Sequence, residues 1–262
     1  MSRPLIGTSW KMNLTSSAAA HWFATALPLL EPLTAERDLF VLPPFPSIWV
    51  ARDALAGSAI GWGGQDVHAA ERGAHTGDVS AEMLVDLGCR YAEIGHSERR
   101  RDHAETDIVV AAKVRAALRA GLTPVACVGE TVRDTFPAAW QVVGRQLEGG
   151  FGGLDAAALD RVVVAYEPVW AIGEGAAAAD PEHVERVHVA IDRWLAERGA
   201  SIRRILYGGS VDETSAPALL AAAAVGGLFI GRAALDPTRF AAIAATPIPS
   251  HRRDPAQLER SA

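Results

Sequence analysis

Lysine is almost missing from this chain. Of the 25 basic residues among 262, 23 are arginine and two are lysine, Lys11 and Lys113. A composition that has so largely set lysine aside gives each survivor something to explain. Cysteine is scarce as well. Cys89 and Cys127 stand far apart and fit no CxxC pattern, which excludes a disulfide-stapled scaffold and makes a reducing cytoplasm the expected compartment. Positive charge is not in excess: the formal net charge is -6, so no global basic field points to nucleic acid. Long apolar runs are absent too. Trp10-Lys11-Met12-Asn13 breaks the first 20 residues, against a signal peptide. The longest uncharged apolar stretch, Ala216 to Gly231, is too short and too glycine-broken to span a bilayer. His68, His75 and His103 lack the spacing of a metal motif, so no metal is expected.

What remains is a chain of 49% hydrophobic and 21% charged residues, ordinary for a globular protein. Its length suits one large α/β domain or two small ones. Eight short apolar, β-rich runs recur along it, beginning near Pro4, Leu39, Ala59, Arg90, Leu122, Arg161, Arg204 and Gly227. Continuous apolar runs of this kind suit parallel strands buried on both faces. Helix-like segments lie between them, among them 107–120 and 181–198, the latter with Pro181 where a helix start tolerates it. The alternation fits a single-domain (β/α)8 barrel over 1–246, with a doubly wound sheet as the alternative. Glu148 to Gly153 reads as a glycine-rich loop, and 247–262 as a polar, frayed tail.

Polar residues follow several of the apolar runs. Lys11 follows the first, Gln65 the third, His96-Ser97-Glu98 the fourth and Glu167-Pro168 the sixth. Gly208-Gly209-Ser210 follows the seventh and Gly231-Arg232 the eighth. In a barrel these strand ends gather on one face. A cation, an imidazole, a carboxylate and small backbone-rich turns would then converge, the set that proton abstraction beside a carbonyl in a phosphorylated substrate requires. Each has a plainer reading: a solvated lysine, a surface histidine, an ion-paired carboxylate, tight turns. His96 stands before a helix start, with Ser97 as the expected cap and Glu98 in the first turn, and a helix N-terminus disfavours the imidazolium. Residues 173–178 match GxGxxA, yet five residues separate them from the end of the apolar run, which argues against a dinucleotide site. Lys113 falls on a helix-like segment and is read as a helix-face residue.

Taken together these segments resemble the triosephosphate isomerase family over nearly the whole chain. The motifs run from Gly7-Thr8-Ser9-Trp10-Lys11-Met12-Asn13 through Gly64-Gln65-Asp66 and Gly73-Ala74-His75-Thr76-Gly77-Asp78. They continue through Glu93-Ile94-Gly95-His96-Ser97-Glu98-Arg99-Arg100, Cys127-Val128-Gly129-Glu130-Thr131 and Ala165-Tyr166-Glu167-Pro168-Val169-Trp170, then Leu206-Tyr207-Gly208-Gly209-Ser210 and Leu228-Phe229-Ile230-Gly231. The resemblance implies a cofactor-free isomerase of a small phosphorylated sugar. It implies Glu167 as the base, His96 as the neutral electrophile, Lys11 as the substrate-binding cation and Glu98 as its partner. Gly173, Ser210 and Gly231 would cradle the phosphate, and 168–178 would form a closing lid. It also implies a homodimer in which the loop 65–79, with Thr76 near its tip, crosses to the second subunit.

Three positions depart from the family pattern. Ser9 stands where asparagine is usual, the lid reads Gly173-Glu174-Gly175-Ala176-Ala177, and Arg232 replaces a glycine of the last phosphate turn. All three touch the substrate or its lid. They resemble a paralogous branch that converts L-erythrulose 1-phosphate to D-erythrulose 4-phosphate, which is the preferred reading. Triosephosphate isomerase activity proper is the alternative, and a non-catalytic sugar-phosphate-binding barrel the remote one. Ser9 would leave room for an added hydroxymethyl group. Arg232 is expected either to reshape its turn, because a side chain does not freely take glycine's positive φ, or to support the phosphate or face an acid such as Glu174 with its guanidinium.

Overall fold

Each of the eight apolar runs folds as a strand. A computed structural model describes residues 3–247, apart from 174, 176 and 177. The strands are β1 (Leu5–Ser9), β2 (Asp38–Leu42), β3 (Gly61–Gly64), β4 (Tyr91–Ile94), β5 (Thr123–Val128), β6 (Val163–Tyr166), β7 (Arg204–Tyr207) and β8 (Gly227–Ile230). Every neighbouring pair is parallel, and the sheet closes in sequence order when β8 pairs with β1, Leu5 opposite Gly227 and Thr8 opposite Ile230. Closure sets the doubly wound alternative aside.

Alternation along the strands makes two cores. Leu5, Phe40, Leu42, Val125, Cys127, Val163, Ala165, Leu206 and Phe229 fill the barrel, while Ile6, Val41, Ala92, Ala126 and Val164 face outward onto the helices. Gly7 is required by this packing: a Cβ there would lie 2.0 Å from the Phe40 ring. The outer layer consists of α1 (Ser16–Leu30), α2 (Ile48–Ala54), α3 (Ala81–Asp86), α4 (Ser97–Asp102), α5 (Asp107–Ala120), α6 (Phe136–Phe151), α7 (Ala156–Leu159), α8 (Pro181–Glu197), α9 (Ala216–Ala221) and α10 (Pro237–Ala244). The expected helix at 107–120 is α5, capped by Thr106 at its start and by left-handed Gly121 at its end. The helix expected at 181–198 is α8, with Asp180 as cap and Arg198 just beyond its end.

Two expectations change. Most of the supposed loop at Glu148–Gly153 is the last turn of α6, because Leu147, Gly150 and Phe151 are buried and Gly149 lies against Asp107. Tertiary packing here overrides the low helix propensity of paired glycines. Lys113 does lie on a helix, but it is buried: its Nζ donates to Asp66 Oδ1 and Oδ2, both at 2.7 Å, and to Glu105 Oε1 at 2.6 Å. Apart from Pro247, the expected tail lies outside the described residues, as do Glu174, Ala176 and Ala177 of the GxGxxA stretch. Among the described residues, no helix is long and apolar enough to cross a membrane, and both cysteines are buried free thiols.

Candidate active site

The carboxyl ends of the strands surround a cleft of about 660 Å³, lined among others by Ser9, Lys11, Glu93, His96, Glu167 and Arg232. The fold therefore brings together the three chemistry-bearing residues picked out by sequence.

Lys11 leaves β1 with φ 55°, a left-handed backbone that a lysine seldom adopts. Gln65 helps hold it there by donating Nε2–H to the carbonyls of Lys11 (3.0 Å) and Leu42 (2.9 Å). The ammonium donates to Glu98 Oε1 at 2.7 Å. Burial alone would raise the Glu98 carboxyl, but the hydrogen bond and charge of Lys11 outweigh it and hold the acid below its ordinary value.

His96, not Ser97, caps α4: its Nδ1 accepts the backbone N–H of Glu98 at 3.1 Å. An accepting Nδ1 assigns the ring proton to Nε2. That nitrogen stands 3.4 Å from Glu167 Oε2. Burial, helped by the neighbouring charge of Lys11, pushes the His96 pKa down to about 4. The imidazole is therefore neutral across ordinary pH and presents an N–H to the cleft.

Glu167 follows β6 and is buried. Gly208 makes space for it, since a Cβ at 208 would sit 2.7 Å from Glu167 Cγ. Burial first, and the charge of Glu93 second, push its pKa up to about 8. Glu93 is a site residue that the sequence reading passed over. It lies on β4 with only 3% of its surface exposed, and Ser9 Oγ donates to its Oε2 at 2.7 Å. The signal was a carboxylate within an otherwise apolar strand.

The phosphate-cradle residues divide. Gly173 (φ 126°) and Gly231 line the cleft with open space where a side chain would begin. Ser210 lines it too, but both its N–H (2.9 Å) and its Oγ–H (2.8 Å) donate to the Ala171 carbonyl. Arg232 begins a 3-10 turn, Arg232–Leu235, and its backbone does not take the positive φ open to a glycine. The side chain is exposed at the cleft wall. Arg239, not anticipated, also reaches this wall, in a two-pronged pair with Glu213 at 2.8 and 2.9 Å.

The segment that the resemblance reads as a lid starts beside Glu167 and is tied at its beginning to Glu130. Glu130 Oε1 accepts from Trp170 Nε1 (2.7 Å) and from the Tyr166 hydroxyl (3.0 Å). Just beyond that segment, Ala179 N–H donates to the Tyr207 hydroxyl at 2.9 Å. Thr76 stands away from the cleft, in a run of eight exposed residues from Glu71 to Asp78. In that loop His68, His75 and Asp78 approach within 4.8 Å of one another. His68 Nδ1 accepts the Ala70 N–H at 3.0 Å, which places the ring proton on Nε2, the nitrogen facing Asp78.

Comparison with known proteins agrees with this geometry. A family model described as triosephosphate isomerase matches residues 4–246. The triosephosphate isomerase of Thermus thermophilus is 47% identical over 249 residues, 93% of this chain and 98% of that protein. That of Xanthobacter flavus is 49% identical over 247 residues, 92% of this chain and 96% of that one. A crystal structure of triosephosphate isomerase from Bartonella henselae superposes with a TM-score of 0.79 at 37% identity, covering 92% of this chain and 98% of that one. These relatives carry the plain triosephosphate name, which favours the alternative set out above over the tetrulose reading.

Proposed function

The chain belongs to the triosephosphate isomerase family of sugar-phosphate isomerases, and we propose that it interconverts dihydroxyacetone phosphate and glyceraldehyde 3-phosphate. The observation that carries this is the convergence of Lys11, of neutral His96 with its Nε2–H, and of Glu167 on one cleft. Glu167 takes a proton from the carbon beside the carbonyl and returns it to the neighbouring carbon. His96 Nε2–H donates to the oxygens of the enediolate between these steps, and Lys11 opposes its negative charge. Glu98 holds the ammonium in place. Gly173, Ser210, Gly231 and Arg232 receive the phosphate. For Ser210 this means exchanging the Ala171 carbonyl for a phosphate oxygen, so binding is tied to movement of the lid that carries Ala171. Lid closure then keeps water from the intermediate. No cofactor takes part in these steps.

A second reading keeps the tetrulose substrate, L-erythrulose 1-phosphate. It is supported by Ser9, whose short side chain turns to Glu93 and takes little space beside Lys11. The deciding measurement is kcat/KM for both ketose phosphates side by side. A preference for the triose of more than about tenfold, roughly 1.4 kcal/mol in transition-state binding, removes the second reading, and the reverse preference removes the first.

A cytoplasmic homodimer completes the proposal. The exposed loop from Glu71 to Asp78 is the element that would cross to a partner, and Met12, next to Lys11, is 96% exposed. Sedimentation should give a dimer mass that Thr76→Arg converts to monomer. A wild-type chain that sediments as a monomer overturns it.

A further inference from the structure

Glu93 has no part in the proton transfer just described, yet it occupies a costly place. Ser9 on β1 and Glu93 on β4 are not neighbours in the sheet, and they meet across the barrel interior. A carboxylate oxygen of Glu93, a carboxylate oxygen of Glu167 and Cys127 Sγ lie within 4.8 Å of one another, all buried. Among the described residues, Glu93 Oε1 and Glu167 Oε2 are buried with no hydrogen-bond partner. An apolar residue at 93 would satisfy the strand without these penalties.

The charges that face Glu93 do not balance it. Lys11 is a cation whose charge favours its ionised form, but that ammonium is bonded to Glu98. Asp66, Glu98 and Glu167 add negative charge around it, Cys127 is a buried thiol whose proton is held more tightly than usual, and His96 is neutral. Two carboxyl groups this close, away from water, do not both ionise at little cost, and they titrate as a pair.

We propose that Glu93 is a positioning residue for the proton transfer: held by Ser9, its carboxylate stands beside Glu167, and when both are ionised their repulsion makes Glu167 a stronger base, a repulsion relieved as Glu167 takes the substrate proton. The inference rests on the reading of Glu167 as the base. Proton abstraction from a carbon acid gains from a more basic acceptor, as long as enough of it is ionised at working pH. The electrostatics run in the same direction. Burial raises Glu93 to about 7, against lowering by Ser9 and Lys11, and the Glu93 charge is the second contribution to the rise of Glu167. Below the acid limb the pair holds one proton taken from solvent, and that proton leaves before Glu167 can accept one from the substrate.

Glu93→Gln tests this through the pH profile. Removing the neighbouring charge lowers the proton affinity of Glu167. The acid limb of kcat/KM should move about one pH unit or more to lower pH, and the plateau kcat should fall about three- to tenfold because the base is weaker. An acid limb coincident with wild type in a folded variant overturns the proposal. Should the variant not fold, 13C NMR of wild-type protein labelled at glutamate carboxyls decides instead. One carboxyl still protonated at about pH 6 is expected against an ordinary glutamate pKa of about 4.3, and full ionisation of every glutamate there overturns it. Wild-type protein inactive on both ketose phosphates would sink the isomerase reading, while the NMR titration would still decide on the pair.

Discussion

Glu98 donates its backbone N–H to Nδ1 of His96, and this one hydrogen bond of 3.1 Å fixes which imidazole nitrogen faces the cleft. The same residue's side chain holds Lys11 at 2.7 Å. One position at the start of α4 thus sets both the tautomer of the electrophile and the place of the cation.

The first prediction concerns that tautomer. With its pKa pushed down to about 4 by burial and by Lys11, His96 binds fewer protons folded than unfolded. Between the ordinary histidine value near 6.5 and about 4 it therefore withdraws stability as the pH falls, and it carries no charge above that range. 15N NMR should show His96 neutral and protonated at Nε2 from pH 6 to 9. His96→Gln should lower kcat by about 10²- to 10⁴-fold with much less effect on phosphate-ligand binding. An imidazolium signal from His96 at neutral pH would contradict the assignment.

A second prediction follows from the bond of Lys11 to Glu98. The left-handed backbone treats lysine and arginine alike, but the single bond to Glu98 at 2.7 Å suits a compact ammonium on a flexible stem. Arginine offers a planar fork instead. Lys11→Arg should therefore lose about a hundredfold or more in kcat/KM while keeping the fold, despite retaining the charge. Recovery to within a few-fold of wild type would show that charge alone suffices there.

The third prediction uses Gly208. A Cβ at this position would stand 2.7 Å from Glu167 Cγ and 3.0 Å from its Oε1. Gly208→Ala pushes the base without adding or removing a charge. Displacement of a reacting group by about 1 Å costs on the order of a hundredfold, so kcat should fall by about that much, with the acid limb of the pH profile near its wild-type position. An unchanged kcat would mean that Glu167 has room to retreat.

Much of this arrangement was legible in the sequence because the barrel is built from strands buried on both faces. Such strands leave continuous apolar runs, and the residue ending each run is delivered to the active face. Lys11, His96 and Glu167 were found for that reason. Glu93 was not, since it lies inside a run, where the expected pattern masks a single carboxylate. Gly149 and Gly150 read as a loop from their local preference, and only packing against Asp107 and α5 explains why they are helical. For Arg232 the sequence points to a reshaped turn, but that the turn becomes a 3-10 helix is visible only in the backbone.

The last prediction concerns Lys113, the second of the two lysines. Its ammonium bonds Asp66 and Glu105 inside the protein, and Arg99 Nε reaches the same two acids at 2.8 and 2.6 Å. Burial raises the pKa of Asp66 in spite of these cations. For Glu105, burial also acts upward, but the hydrogen bonds of Lys113 and Arg99 bring it below its ordinary value. Lys113→Met leaves both acids buried with one cation between them, a loss on the order of 3–5 kcal/mol in stability. Asp66 would then be pushed higher still, so the folded variant binds a proton that the unfolded chain does not. That contribution is present at low pH and is lost as the pH rises through the raised value. The drop in Tm relative to wild type should therefore be larger at pH 8 than at pH 5, while kcat/KM at 25 °C stays close to wild type. Equal Tm values for variant and wild type at pH 8 would show that the network contributes no net stability, and the retention of Lys113 would then need another cause.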